Sequence, residues 1–125
     1  MTTVSIPDTV TSIGAWAFGQ CTSLSSIKLP IGLTLLMNSI LKGCTSLTSI
    51  SIPKSVMEIR TQAFTDCSSL ATIDFSQHED VPALASISVF AGLPNEYQIL
   101  VPQNLLEKWR TSTNWASLYS HIVGV

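Results

Sequence analysis

Charge is what this chain most lacks. Only 11% of its 125 residues are charged, less than half the roughly 25% of an ordinary soluble domain. Serine and threonine fill the deficit, so the polar surface rests on hydroxyls. The formal net charge is -2, and no basic stretch offers an electrostatic footprint for nucleic acid or an anionic membrane. No apolar run approaches the ~18 residues needed to cross a bilayer, so membrane insertion is not expected. From Met1 to Pro7 there is neither the basic segment nor the apolar run of a secretory signal. The strand-like Val4-Ser5-Ile6-Pro7 begins so abruptly that a piece cut from a longer chain is expected.

Catalytic signatures are missing as well. The sequence holds no Gly-rich phosphate loop, no GxSxG elbow and no CxxC pair. His78 is followed by Glu79 and Asp80. Three adjacent side chains do not converge easily on one ion, so a solvated loop is expected there in place of a metal site. His121 lies near Tyr119 in an aromatic stretch, where a surface or boundary position is the default. No metal or cofactor is expected.

What the chain does have is a repeat. Cys21, Cys44 and Cys67 are spaced by 23 residues, and each opens the same phrase, Cys-Thr/Ser-Ser-Leu. Ile27, Ile50 and Ile73 keep that period, as do Leu29, Ile52 and Phe75, and Pro7, Pro30 and Pro53. Val10, Leu33 and Val56 share it too, with Ile13, Leu36 and Ile59 three residues later. Ser26-Ile27-Lys28-Leu29 alternates polar with apolar, as do its copies at 49–52 and 72–75. That is the pattern of a half-buried strand, ended in the first two of these coils by a proline that cannot donate to a ladder. The other apolar positions fall at spacings of three and four, which suits a turn or irregular helical return. One coil cannot bury its apolar side alone, whereas stacked coils share a core, with parallel strands on one face.

On this reading the three cysteines are buried thiols stacked one per coil, as small hydrophobes. A zinc site lacks a nearby histidine and a CxxC pair; a disulfide between neighbouring coils would leave one thiol over. The last step is longer. From Phe75 to Val101, and from Phe64 to Phe90, it is 26 residues. The extra three are expected around 76–82, and Gln98 to Val101 forms a fifth strand. Repeats thus fill residues 1–102.

Residues 103–125 read as a small helical cap of the same unit. Asn104 is placed to cap a helix bearing Leu105, Leu106 and Trp109. Asn114 is placed to start a second, with Trp115, Leu118, Tyr119 and Ile122 at helical spacing. These aromatics would cover the open end of the core, as repeat arrays require; the alternative is an aromatic ligand platform. The N-terminal end shows no comparable cap and would leave a strand edge free to pair.

The phrase Ile-Pro-x-x-Val-x-x-Ile-x-x-x-Ala-Phe-x-x-Cys-x-Ser-Leu-x-x-Ile resembles the BspA-like (Treponema pallidum type) leucine-rich repeats. Residues 6–27 fit it almost completely and 52–73 nearly as well. Residues 29–50 are looser, with Gly32-Leu33 and Ile40-Leu41 at variant positions. The stretch from Val101-Pro102 to Trp115 is also similar to the tails of such bacterial proteins. The resemblance implies an α/β, right-handed leucine-rich-repeat solenoid with about five short parallel strands. It also implies a secreted or cell-surface setting and a role in adhesion, with a host matrix or cell-surface protein as partner. It supplies no catalytic residue.

Three functions compete: a protein-interaction or adhesion module, a structural spacer without a ligand of its own, and an enzyme, for which no catalytic constellation is present. The expected binding surface is the outward face of the strands. Its candidate residues are Ser5, Ser26, Lys28, Ser49, Ser51, Thr72, Asp74 and Leu100, with Thr3 and Gln98 beside them. End-to-end self-association through the bare N-terminal edge is a further expectation.

Overall fold

A computed structural model describes residues 2–125. In chain order the strands are β1 (Thr2–Ser5), β2 (Leu24–Lys28), β3 (Leu35–Leu36), β4 (Ser49–Ser51), β5 (Glu58–Ile59), β6 (Thr72–Asp74), β7 (Ala83–Leu84), β8 (Gln98–Val101) and β9 (Ile122–Gly124). They form a solenoid with two strand-bearing sides. The front carries β1 paired with β2, and a four-stranded sheet in the order β4-β6-β8-β9. A lateral sheet holds β3-β5-β7, and every pairing is parallel. The five expected strands are all present on the front.

The repeat period becomes register. Ile50 pairs with Ile73, Ile73 with Ile99, and Ile99 with Ile122, so one inward column of isoleucine runs through four rungs, all buried. Leu24, Leu47 and Leu70 make a second buried column. Each such side chain contributes about 1.5–3 kcal/mol by leaving water, which is why stacking stabilises coils that would not fold singly.

The lateral sheet stands where an irregular return was expected. Its strands have two residues each, with Leu36, Ile59 and Leu84 pointing inward. The rear corner is built from backbone turned left-handed. Gln20, Gly43, Asp66 and Gly92, each just before the cysteine position of its coil, have φ of 62°, 76°, 63° and 82°. That conformation presents N–H groups to the following coil: Gln20 donates to Lys42 O at 2.7 Å, Gly43 to Thr65 O at 2.9 Å and Asp66 to Ala91 O at 2.8 Å. At Gly43 a Cβ would also press on the Gln20 side chain at 2.8–3.0 Å, so the conformation and the close approach both call for glycine there.

The long last step is absorbed at two places. Glu58 pairs with Ala83, a step of 25 where Leu35 to Glu58 is 23. Two of the three extra residues therefore precede β7, and the third lies beyond it, around the 3-10 turn Ile87–Phe90. The 76–82 loop is not simply solvated, as expected for His78. His78 is only 3% exposed. Its Nε2 lies 2.8 Å from Val56 O, its Nδ1 has no partner, and its ring meets Phe75 and Trp109 edge-on. The hydrophilic neighbours Glu79 and Asp80 do stay exposed. They pair with Lys54 at 2.9 Å and Lys108 at 2.6 Å, exposed contacts that solvent and salt screen.

The C-terminal segment comprises a 3-10 turn Gln103–Leu105, helix α1 (Leu106–Thr111), a second 3-10 stretch Trp115–His121, and β9. Two expectations change here. Asn104 does not cap α1; Leu105 precedes it, with no side-chain cap. Ile122 is not helical but starts β9, which adds a sixth rung to the front by pairing with β8. Asn114 does precede the 3-10 stretch, in a left-handed conformation (φ 66°), but its amide donates to Leu84 O at 2.6 Å instead of to its own helix. Trp115 Nε1 donates to Pro82 O at 2.7 Å. Phe75, Trp109 and Trp115 pack with ring centroids 5.4–5.6 Å apart. Both tryptophans are fully buried against the end of the core. The C-terminal end of the stack is therefore closed by aromatic rings and by hydrogen bonds to the inserted loop.

Candidate functional site

The outward face of the front strands is open to solvent and organised in two columns. Thr3 pairs with Ser26, Ser49 with Thr72, and Thr72 with Gln98. In the other column Ser5 pairs with Lys28, Ser51 with Asp74, and Asp74 with Leu100. Ser5, Ser26, Lys28, Ser49 and Ser51 are exposed; Thr72, Asp74 and Leu100 are half-buried. All eight candidate residues thus lie on one side of the molecule. Val123 joins the second column beside Leu100 through β9, a position hidden from sequence reasoning because the segment reads as helical. The column grades from polar at Ser5 and Lys28 to apolar at Leu100 and Val123.

The candidates are not equivalent. Asp74 Oδ1 accepts the Ser76 N–H at 2.7 Å, so its carboxylate is partly committed to the turn after β6. Ser26, Lys28, Ser49 and Ser51 gather around a cleft of about 440 Å³ between β2 and β4, also lined by Ile31 and Pro53. No pair joins these two strands among the described residues.

The thiols stand outside these columns, three residues before Leu24, Leu47 and Leu70, and are not bonded to one another. Cys44 Sγ donates to Phe18 O at 3.1 Å and Cys67 Sγ to Leu41 O at 3.0 Å, each reaching back one coil. Burial pushes the Cys44 thiol up to about 11 and the Cys67 thiol up to about 12, so neither supplies thiolate near neutrality. Cys21, in the first coil, is half-exposed, which departs from the uniformly buried ladder expected. In the folded protein, iodoacetamide is expected to label Cys21 long before Cys44 or Cys67, and mass spectrometry after unfolding without reductant should find all three thiols free. Equal labelling rates would show that the inner thiols are not sealed.

His121 Nδ1 lies 2.9 Å from Tyr97 O, and the two rings stack with centroids 3.8 Å apart. His121 is thus a packed boundary residue. Among the described residues no group of three or more His, Cys, Asp or Glu side chains is placed to hold a metal ion, and no helix is long and apolar enough to cross a membrane.

The parallel rungs, the short coil and the inward leucine and isoleucine columns define a leucine-rich-repeat solenoid. The sequence pattern of the BspA type leucine rich repeat region matches residues 1–107 in six copies, and the chain belongs to that family. It is similar to a leucine rich cell surface protein of Faecalibacterium prausnitzii, with 29% identity and a TM-score of 0.68. The chain is covered completely and spans 30% of that protein's length. A leucine-rich repeat protein of Bacteroides ovatus shares the fold at 23% identity and a TM-score of 0.71, again over the whole chain and 30% of its own. No curated protein matches the chain.

Proposed function

We propose that the chain is a non-catalytic protein-interaction module of a bacterial surface or secreted protein, binding a host matrix or cell-surface protein through the front face. The observation that carries this reading is the face itself. Two columns of outward residues run from Ser5 to Leu100, in register within β1-β2 and within β4-β6-β8. Extended solenoid faces of this kind are what such folds use to bind partners. The likeness to a cell surface protein supports the setting. The face is rich in hydroxyls and has no aromatic side chain, whereas binding hot spots favour Trp, Tyr and Arg. Affinity in a longer array would therefore come from area and repetition.

A spacer role is the second reading. The N-terminal end favours it. Val4, Phe18, Cys21 and Leu24 line an open cleft of about 510 Å³ beside the edge of β1 that has no partner strand among the described residues, a surface that another coil or a second copy would cover end to end.

Pull-down from host extracellular matrix and cell-surface fractions separates the two. A binding module should capture a protein saturably, and the Lys28→Ala/Asp74→Ala double variant should capture several-fold less. Equal, negligible capture by both proteins would sink the front-face reading and leave the spacer.

A further inference from the structure

The front is broken once. Ile6, Ile52 and Phe75 occupy the same position in their coils, and each donates its N–H to the next rung: to Lys28 O at 3.1 Å, Asp74 O at 2.9 Å and Leu100 O at 2.7 Å. Leu29 holds that position in the second coil, and its N–H has no acceptor among the described residues. The missing rung would run from Leu29 N to Ser51 O. The same two coils remain joined elsewhere. Leu35 and Leu36 pair with Glu58 and Ile59, and at the rear Ser39 donates to Thr61 O at 3.1 Å and Leu41 to Ala63 O at 2.9 Å. The junction is shut on two sides and open on the front.

Parallel strands turn alternate residues to opposite neighbours. Lys28 is used toward β1 and Ile52 toward β6, so Ile27, Leu29, Ser49 and Ser51 turn their peptide groups into the gap. Leu29 is itself buried, and a buried N–H without an acceptor is rare and costly in a folded protein. One charged group stands at the mouth. The chain has six Lys and Arg residues, and five are engaged. Lys54, Arg60 and Lys108 hold carboxylates. Lys42 reaches Gln62 and the Trp16 ring, and Arg110 reaches Ile122 O and the Tyr119 ring. Lys28 alone has no partner among the described residues.

We propose that this slot recognises an acidic side chain on an extended segment of the partner protein. A carboxylate there would meet the Lys28 ammonium, the hydroxyls of Ser26, Ser49 and Ser51, and the Leu29 N–H, donors that together suit an anion. Ile31 and Pro53, at the rim, receive an apolar neighbour of the acidic residue. The proposal deepens the front-face reading and rests on it.

Amide-resolved NMR of the whole chain tests it. In the free protein the Leu29 amide should exchange on the order of a hundredfold faster than those of Ile52 and Phe75; equal protection would mean the ladder is closed and the slot does not exist. A short capped peptide alternating valine and aspartate should then shift the amides of Leu29, Ser49 and Ser51. Its valine–asparagine counterpart should bind on the order of tenfold more weakly, the cost of about one charge-assisted contact. In Lys28→Gln that preference should vanish. Shifts confined to Thr2–Ser5, meaning addition to the free edge of β1, or equal affinity for both peptides, would overturn the slot. Host-protein capture that persists while the seam amides stay silent would reject the slot alone, not the front-face reading.

Discussion

Trp115→Ala is expected to lower the unfolding free energy by about 3–5 kcal/mol, the range for truncating a large buried aromatic. The indole is 1% exposed. It packs against Phe75, Phe90 and Trp109, and its Nε1 donates to Pro82 O. Its loss would empty the centre of the C-terminal closure and leave the Pro82 carbonyl without its donor. Trp115→Phe keeps most of the ring volume and removes the hydrogen bond, so about 1–2 kcal/mol of the loss should remain. Urea denaturation followed by circular dichroism checks both. A near-neutral Trp115→Ala would show that the cap is not what seals the stack. Detachment of the cap alone would appear as two transitions; one shifted transition would show that cap and coils melt together.

Stability should also fall on mild acidification, and His78 should be the cause. Burial holds its imidazole below the usual histidine range, despite the opposing pull of its contacts with Val56 and Phe75 and of Asp74. The neutral ring is therefore the native form, and the unfolded chain binds the extra proton. Stability from this group is fully present above the unfolded value of about 6.5. It is lost as pH falls below that, at up to about 1.4 kcal/mol per pH unit, until the lowered native value is reached. Glu79 and Asp80 are held below their usual values by hydrogen bonds from Lys54 and Lys108. Their linked stability is lost only at more acidic pH, so the histidine window stands apart. His78→Gln keeps a donor for Val56 O and does not titrate. Urea midpoints between pH 7 and pH 5 should drop for the natural chain and stay nearly flat for the variant. Parallel slopes would clear His78 of the effect.

Much of this architecture is legible in the sequence because burial repeats. Ile27, Ile50, Ile73 and Ile99 alternate with outward-facing neighbours on the same strand, and a period of two against a period of 23 leaves little freedom. The lateral sheet is less legible. Leu35–Leu36 and Glu58–Ile59 are too short to show any alternation. The left-handed corners are concealed by their occupants. Trp16, Gln20, Ser39 and Gln62 are not residues that advertise such backbone; Gly43 and Gly92 carry the usual sign, and Asp66 and Asn114 a weaker one. Ile122 follows Trp115 and Leu118 at helical spacing, yet pairing with β8 decides its conformation. His78 is buried by Trp109, which arrives from the cap and not from the local chain. The outward face could be named residue by residue, since it is the complement of the core. The missing rung at Leu29 could not, because Ser26-Ile27-Lys28-Leu29 alternates just as its copies do and differs only in how its peptide groups meet the next coil.

That uneven stitching has a mechanical meaning. Among the described residues the first two coils pair on the front but share no lateral strand pair, and there Thr11, Ile13, Leu35 and Met37 line a gap of about 70 Å³. The second and third are joined laterally but not on the front. Successive joints therefore have their compliant sides on different flanks, like knuckles set at an angle. Force applied along the axis would not load every joint alike. The front of the second joint would gape first while its rear ladder held, and the column would bend before it broke.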